Sequence, residues 1–308
     1  MVISLTNRIK VVRPALSVFP YSNSLFVDDQ IRLMIDAGSG GKAYSNIPAN
    51  SVEMLLLTHN HFDHTNGVSF FKNAQIKAGK EEAKGYSNPE AFYSFMGLNR
   101  WPELMGEADV EQFADGLIMP EDIPARSVGF NPVNLQGYIK DGDSFNLGKT
   151  TVTAIHTPGH SPGHYAFLIE EEGILFSGDI DLAPQGPWYG GELCNLDDLI
   201  KSVEKIKALN PKILVTSHRR VFHNKEDNIP KLLDDYIGIV YKKEEKVLNS
   251  LSRPKTIDDM AYQDFIYDSR LDSTYMVFSA KMMLVKHLER LKRLGAIRCT
   301  QDGHYLKV

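Results

Sequence analysis

The sequence predicts a layered α/β fold, and three observations support that prediction. The apolar run at 54–57 is typical of a buried strand and leads directly into a cluster of polar residues. Three later apolar runs, at 151–155, 174–176 and 213–215, also end beside a histidine or an aspartate. Leu196–Leu209 has apolar residues at three- and four-residue steps, which predicts an amphipathic helix packed on a sheet.

Length and composition are those of an ordinary globular protein. The 308 residues are 43% hydrophobic and 24% charged, which fits one large domain or two unequal ones. Residues 1–229 carry a net charge of −8 and residues 230–308 carry +3, so the tail has a different surface. The sequence has no stretch long and apolar enough for a bilayer and no leader pattern, so we expect a cytoplasmic protein without membrane contact. Cys194 and Cys299 are expected to be ordinary thiols.

The first 35 residues predict an antiparallel meander, because short apolar runs alternate with turn residues. These runs lie at 9–12, 16–19, 25–27 and 31–35. The glycine-rich stretch 36–42 lacks the residue spacing of a phosphate-binding loop, so it predicts a tight turn that leads into a helix.

The densest polar cluster follows the strand at 54–57. His59 and His61 are two residues apart and point the same way at an extended strand end, while the next turn can bring Asp63 and His64 back toward them. A single histidine here would be an ordinary loop residue. Three histidines and a carboxylate within six residues instead indicate a metal site, because neutral imidazole is a common metal ligand.

Residues 81–135 predict an insertion rather than part of a sheet. Its aromatic residues have mostly helix-like spacing: Tyr86, Phe92, Tyr93, Phe95, Trp101, Phe113 and Phe130. One interpretation is a lid that shapes a substrate pocket. The alternative is that these residues form their own small core or cover a dimer interface.

The second half repeats the arrangement of a strand followed by a polar side chain. After a predicted hairpin at 138–148, three apolar strands end near His160, Asp179 and His218. Because the carboxyl ends of strands form the crevice where α/β proteins build their sites, we expect these residues to join the histidine cluster.

The tail predicts three helices and a closing pair of strands. The helices lie at 229–251, from the Thr256 capping box to about residue 267, and at 273–294; the strands lie at 296–300 and 304–308. On the third helix, Lys286, Arg290 and Arg293 lie opposite an apolar stripe.

These residues resemble the metallo-beta-lactamase superfamily, whose motif is His-x-His-x-Asp-His followed by a distant His, an Asp and a final His. The resemblance covers about residues 1–225 and implies a four-layer αβ/βα sandwich with two metal ions at one edge. It further implies that three histidines hold the first metal, that Asp63, His64 and His218 hold the second, and that Asp179 bridges them. The three histidines are His59, His61 and His160.

The implied cofactor is a pair of divalent metal ions. Zinc suits these ligands, and iron and manganese are open alternatives. By the same resemblance, His156 and His164 support the site rather than bind metal. Many family members have Gly-His-Gly at the last ligand, whereas this chain has Arg219 and Arg220 after His218. The two arginines either contact an anionic substrate or lie on the surface.

The tail resembles a winged helix, which implies a catalytic domain at 1–229, with 81–135 as a lid, and a small α+β winged-helix domain at 230–308. A similar appendage occurs in a subgroup with RNA-cleaving members. Its basic helix face can contact nucleic acid. The alternative is a structural appendage or one that forms a homodimer.

The expected activity is that of a binuclear metal-dependent hydrolase using a metal-bound hydroxide, with Asp63 as the residue that orients it and accepts its proton. A small acyl substrate, a thioester or lactone as in glyoxalase II relatives, is favoured because the acidic catalytic half repels polyanions. Three alternatives stay open: an RNA phosphodiesterase, an iron-dependent redox enzyme and a binding protein.

Overall fold

The computed structural model describes residues 1–16, 18–110, 119–125, 128–267 and 271–308. Two sheets form the centre of this described part. The first has seven strands, adjacent in chain order: β1 (Val2–Ser4), β2 (Ile9–Val12), β3 (Ser24–Val27), β4 (Leu33–Ile35), β5 (Met54–Leu56), β6 (Gln75–Gly79) and β7 (Gly137–Ile139). Its first four strands are antiparallel, and β4 to β7 are parallel.

The second sheet has six strands, also adjacent in chain order: β8 (Ser144–Asn146), β9 (Thr151–His156), β10 (Tyr165–Ile169), β11 (Ile174–Phe176), β12 (Ile213–Val215) and β13 (Phe222–His223). Neighbours are antiparallel except β11 and β12, which run parallel. A separate antiparallel ribbon consists of β14 (Ile297–Cys299) and β15 (Tyr305–Lys307).

Helices connect and cover these sheets. The helices of the described residues are α1 (Gly41–Tyr44), α2 (Phe62–Thr65), α3 (Ala83–Ser87), α4 (Pro89–Phe95), α5 (Trp101–Met105), α6 (Leu196–Leu209), α7 (Asn224–Asp227), α8 (Ile229–Ser250), α9 (Ile257–Ala261) and α10 (Thr274–Arg293). The Thr256 side chain accepts a hydrogen bond from the backbone N–H of Asp259, and the Asp259 side chain accepts one from the backbone N–H of Thr256. The predicted capping box is therefore present. Every helix in the described ranges is too short or too polar to cross a bilayer.

The two sheets share one buried layer, and helices cover both outer faces. Leu25 of the first sheet and Phe167 of the second lie in the same apolar cluster between the sheets. On the outer side of the first sheet, Phe26 packs with Tyr44 of α1. On the outer side of the second, a further cluster includes Leu199 of α6. The predicted four-layer αβ/βα sandwich is confirmed, and burial on both faces explains why these strands are continuous apolar runs.

Two local predictions were wrong. Residues 16, 18 and 19 form no strand, and their side chains are exposed, whereas the rest of the predicted meander is present. The segment 138–148 is not a hairpin either. Strand β7 pairs with β6, and β8 pairs with β9, so the Asp141-Gly142 turn carries the chain from one sheet to the other.

The tail has the predicted elements, except that α9 ends at Ala261 and not near residue 267. The tail also shares a core with the rest of the chain. Residues of α8 and α10, including Ile237 and Leu284, lie in the same apolar cluster as Leu199 of α6. Residues 278–288 of α10 are all buried. The predicted boundary at residue 229 therefore falls inside one continuous hydrophobic core, and the winged-helix assignment stays a prediction.

The basic side chains of α10 contact acidic or carbonyl groups of the same chain. Arg290 donates to Asp197 of α6, 2.6 Å away, and also to Glu244 of α8. Arg293 donates to Asp197 as well, and Lys286 donates to a backbone carbonyl 2.5 Å away. Because a helix must be exposed to enter a nucleic-acid groove, this burial weighs against α10 as a nucleic-acid contact. The predictions of a nucleic-acid partner and of a homodimer stay predictions.

Candidate metal centre

The ends of four strands converge at one edge of the sandwich. Strand β5 leads to His59 and His61, and His61 is the N-cap of α2, whose first turn carries Asp63 and His64. The loops after β9, β11 and β12 supply the remaining predicted ligands, which are His160, Asp179 and His218. All seven fall into two groups, and within each group the ligand-type atoms lie within 4.8 Å of one another.

The first group contains three histidines and one oxygen of Asp179. The Nε2 atom of His160 lies 3.2 Å from Nε2 of His59 and 3.0 Å from Nδ1 of His61. Asp179 Oδ2 is 3.4 Å from the same atom of His160. Three imidazoles with one further oxygen match the ligand number of a tetrahedral zinc site.

The second group contains Asp63, His64 and His218. Asp63 Oδ2 lies 3.5 Å from Nε2 of His64 and 3.3 Å from Nε2 of His218. The other oxygen of Asp179, Oδ1, lies 3.1 Å from His64 and 3.2 Å from His218. Each of the two carboxylate oxygens of Asp179 therefore faces a different group.

Two buried atoms of this site have no hydrogen bond from any residue that the structure describes. They are His64 Nε2 and Asp179 Oδ1, which are close to each other but not aligned as donor and acceptor. Buried polar atoms rarely remain unsatisfied. Since both face the centre of the second group, the donor set fits a bound metal ion.

The electrostatics of the two groups also fit cations. Burial lowers the pKa of His59 and His61 well below the ordinary value, so both are neutral imidazoles, the form that binds metal. Burial alone would lower the pKa of His64 too, but the nearby carboxylates of Asp179 and Asp63 raise it well above its ordinary value. The second group therefore favours positive charge, which a metal ion supplies in place of a proton.

Buried polar residues orient the histidine rings. Asp36 Oδ2 lies 2.7 Å from Nδ1 of His64, and Thr58 donates to both oxygens of Asp36 at 2.8 Å. The Thr58 hydroxyl also lies 2.9 Å from Nδ1 of His59. These contacts leave Nε2 of both histidines directed at the metal-ligand groups, as in known metal sites.

His160 is oriented by Trp188, a residue in the loop between β11 and α6. His160 Nδ1 donates to the Trp188 carbonyl oxygen at 3.0 Å, and the Trp188 indole donates to the Ser279 hydroxyl of α10 at 2.8 Å. The tail thus supports a predicted metal ligand through one intervening residue. This connection lay in a loop without sequence periodicity, and the sequence predictions missed it.

His164 and His156 belong to neither group of metal ligands. His164 Nε2 accepts from the backbone N–H of Asp179 at 3.0 Å, and burial lowers the pKa of His164 to about 3. His156 lies 2.9 Å from the carbonyl of Pro162. Cys194 is a buried thiol whose pKa is raised to about 12 by burial, which makes it unreactive.

Glu82 joins the two loops that carry the first group, and the sequence predictions missed it. Its side chain is buried, with one oxygen accepting from the backbone N–H of Asn60 and the other from that of Gly163, both at 2.9 Å. Asn60 separates His59 from His61, and Gly163 lies three residues after His160. Glu82 therefore fixes the distance between these loops.

Glu82→Gln should lower the free energy of unfolding by about 1–3 kcal/mol, because the amide nitrogen would face a buried N–H donor. The measurement is urea unfolding followed by circular dichroism. The matched control is Glu81→Gln on the exposed neighbouring side chain, for which a change within about 0.5 kcal/mol is expected. Equal effects of both substitutions would contradict the bridging role of Glu82.

The two arginines after His218 do not line the cavity at the metal-ligand groups. Arg220 forms a bidentate contact with Asp227 and lies over the ring of Phe222, 4.3 Å from its centroid. Neither Arg219 nor Arg220 is among the described residues that line the cavity at the metal-ligand groups. The sequence interpretation of these arginines as substrate contacts therefore has no support in their placement.

A cavity of about 660 Å³ opens in front of both groups. His61, Asp63 and Asp179 lie at its metal-ligand end. Its walls include Phe92 and Met96 from the segment 81–135. The described part of that segment thus supplies cavity wall, as the lid interpretation expects. Phe113 lies outside the described residues.

The chain is similar to known proteins in both sequence and structure. The family model described as metallo-beta-lactamase superfamily matches residues 18–218. A structure of a metallo-beta-lactamase family protein from Thermus thermophilus superposes with a TM-score of 0.78 at 20% identity, covering 99% of this chain and all of the other. At that identity the likeness concerns the fold alone.

Two curated relatives are similar in sequence. An atrochrysone carboxyl ACP thioesterase of Aspergillus fumigatus is 28% identical over 210 residues, which is 66% of this chain and 52% of the relative. A beta-lactamase-like protein 2 homolog of Caenorhabditis elegans is 29% identical over 168 residues, or 54% of this chain and 52% of the relative. The matches thus cover about half the length of each relative.

The fold, the converging ligand groups and the family match define one class of protein: the chain belongs to the metallo-beta-lactamase superfamily. Its two groups of histidines and aspartates can hold metal ions. Membership and ligands together are consistent with the predicted metal-dependent hydrolase.

Proposed function

We propose that the protein is a binuclear metal-dependent hydrolase that cleaves a small acyl substrate, namely a thioester. The observation that carries this proposal is the position of Asp179, whose two oxygens each face a separate group of metal ligands. A first ion would be held by His59, His61 and His160, and a second by Asp63, His64 and His218. Zinc is the proposed ion, because tetrahedral histidine and carboxylate sites suit it.

Bound divalent ions supply a water of lowered pKa and polarise the carbonyl oxygen of the substrate. The protein supplies the remaining functions. Asp63 lines the cavity and orients the attacking water, whose proton it accepts. A C–O bond then forms at the acyl carbon and the C–S bond breaks, and the proton held by Asp63 passes to the departing thiolate. The carboxylic acid so formed releases the other proton of the water to solvent. The products are a carboxylate and a free thiol.

A thioester is favoured over a phosphodiester for two reasons. The similar protein from Aspergillus fumigatus is named a thioesterase. In addition, the described cavity lining contains no lysine or arginine, whereas phosphate recognition usually relies on these residues. The buried residues of α10 and its ion pairs with Asp197 and Glu244 weigh against RNA contact through this helix.

Metal content and turnover measured on the same sample test the proposal. We expect about two zinc ions per chain by elemental analysis of protein purified without added metal, and hydrolysis of a generic acyl thioester. A fluorescent RNA should remain intact. Cleavage of the RNA alone would transfer the assignment to a phosphodiesterase, and iron with neither activity would favour redox chemistry on the same fold.

A further inference from the structure

We propose that the cavity is a binding pocket for an uncharged, apolar acyl chain, whose thioester carbonyl lies at the metal-ligand groups. This inference rests on the proposed hydrolase function and specifies its substrate class. The cavity volume of about 660 Å³ is within the range of pockets that enclose a small-molecule ligand. An acetyl group alone would leave most of that space empty.

The chemistry of the wall selects an apolar group. Three separate regions contribute apolar or aromatic side chains: Phe92 and Met96 near α4, Trp188 in the loop after β11, and Tyr275 at the start of α10. These walls are continuous with the metal-ligand groups, since His61 and Asp63 line the same cavity. A chain bound along this surface would therefore place one end at the reacting centre.

The charges of the lining exclude an anionic acyl group. Asp63, Asp179 and Asp181 are the charged side chains among the described lining residues. The oxygen Oδ1 of Asp181 accepts bonds from Ala183 N–H at 2.9 Å and from the Tyr236 hydroxyl at 3.2 Å. Apart from the metal ions at Asp63 and Asp179, the described lining has no lysine or arginine that could pair with a second carboxylate or a phosphate on the chain.

Trp188 provides a probe of occupancy that does not depend on catalysis. The chain has two tryptophans, and the other, Trp101, is buried in a cluster with Phe278 away from the cavity lining. Trp101→Phe leaves Trp188 as the single tryptophan, which can be excited selectively at wavelengths that tyrosine does not absorb. A ligand that enters the pocket should change its emission, because the indole lies in the cavity wall.

The experiment titrates the purified Trp101→Phe protein, with its metal, with butanoate, hexanoate, octanoate and decanoate, which are products of the proposed reaction. We expect Kd to fall about fourfold for each added CH2 group until the pocket is full. The KM of the matching acyl thioesters of N-acetylcysteamine, from acetyl to decanoyl, should fall in the same order.

Two substitutions at Met96 test the location. Met96→Trp fills pocket volume and should weaken decanoate binding at least tenfold, measured by calorimetry because the new indole would add to the Trp188 emission. It should also shift the preferred thioester toward shorter chains. If that variant fails to fold, Met96→Ala serves instead and should weaken decanoate binding several-fold through lost contacts. The control is Tyr262→Ala, an exposed side chain outside the cavity lining, which should leave both series unchanged.

The outcomes separate this inference from the proposed function. Carboxylate affinities that rise with chain length, without any thioester cleavage, would support the pocket and refute the hydrolase assignment. Thioester cleavage with equal KM for acetyl and decanoyl groups, and no response of Trp188, would overturn the pocket while the hydrolase assignment stands. Equal decanoate affinities and equal thioester preferences of Met96→Trp and Tyr262→Ala would also overturn the assignment of the pocket.

Discussion

Asp63→Asn should lower kcat for thioester hydrolysis by about one hundred- to ten thousand-fold, the usual contribution of a general base. The side chain is buried in the cavity wall, 3.3 Å from Nε2 of His218. Asparagine has almost the same shape but cannot accept a proton and carries no charge. The Asp63 backbone carbonyl, which accepts from the Ser22 hydroxyl at 2.8 Å, is unaffected by the change.

The control for this prediction is Asp235→Asn, the same change at an exposed ion pair with Lys231 on α8. It should leave kcat and the melting temperature unchanged. Thermal unfolding of Asp63→Asn should also remain cooperative, which separates lost activity from lost folding. Elemental analysis of the same sample separates lost proton transfer from loss of the second ion, since Asp63 is also one of its proposed ligands. If Asp63→Asn turned over thioester at the wild-type rate, Asp63 would not be the catalytic base.

The sequence was sufficient to predict which side chains meet at the candidate site. Each predicted ligand follows an apolar strand, and residues at the carboxyl ends of strands in layered α/β folds lie at one crevice. The residues that orient the ligands were harder to find. Asp36, Glu82 and Trp188 are isolated in sequence from the residues they contact, and only the packed fold brings them within hydrogen-bonding distance.

Pairing between strands was less predictable than the strands themselves. The Asp141-Gly142 turn was recognised from local residue types, but those types do not determine whether the chain returns to the same sheet or crosses to another. Strand β10 was missed although its sequence, Tyr165–Ile169, is a short apolar run. It directly follows the Gly-His motif at 163–164.

The tail shows how a correct prediction of elements can suggest the wrong surroundings. Apart from the early end of α9 at Ala261, its helices and strands lie where the residue pattern predicted them. Periodicity alone, however, does not reveal what covers the second face of a helix. In α10 the predicted basic face packs against acidic groups of α6 and α8. Through Ser279 and Trp188 this helix instead supports His160, which gives the tail a role in shaping the candidate metal centre.

Asp179→Asn should reduce bound metal from about two ions per chain to one or fewer, the largest expected loss from a single substitution. Both oxygens of Asp179 face ligand groups, at 3.4 Å from His160 and 3.1 Å from His64. The amide keeps one oxygen, so at least one group loses its shared ligand. The loss of negative charge also increases the repulsion between the two dications. Among the proposed ligands, Asp63 would then be the one carboxylate left to offset that repulsion.

The matched control is Asp181→Asn, two residues away in the same loop. Asp181 Oδ1 contacts Ala183 and Tyr236, and Asp181 belongs to neither ligand group, so this variant should retain its metal. Elemental analysis measures the stoichiometry. The rise in melting temperature on adding zinc gives a second readout, since a ligand at one hundred times its Kd stabilises the folded state by about 2.7 kcal/mol. That rise should be smaller in Asp179→Asn than in Asp181→Asn. Full metal content in Asp179→Asn would mean that the carboxylate does not bridge two ions.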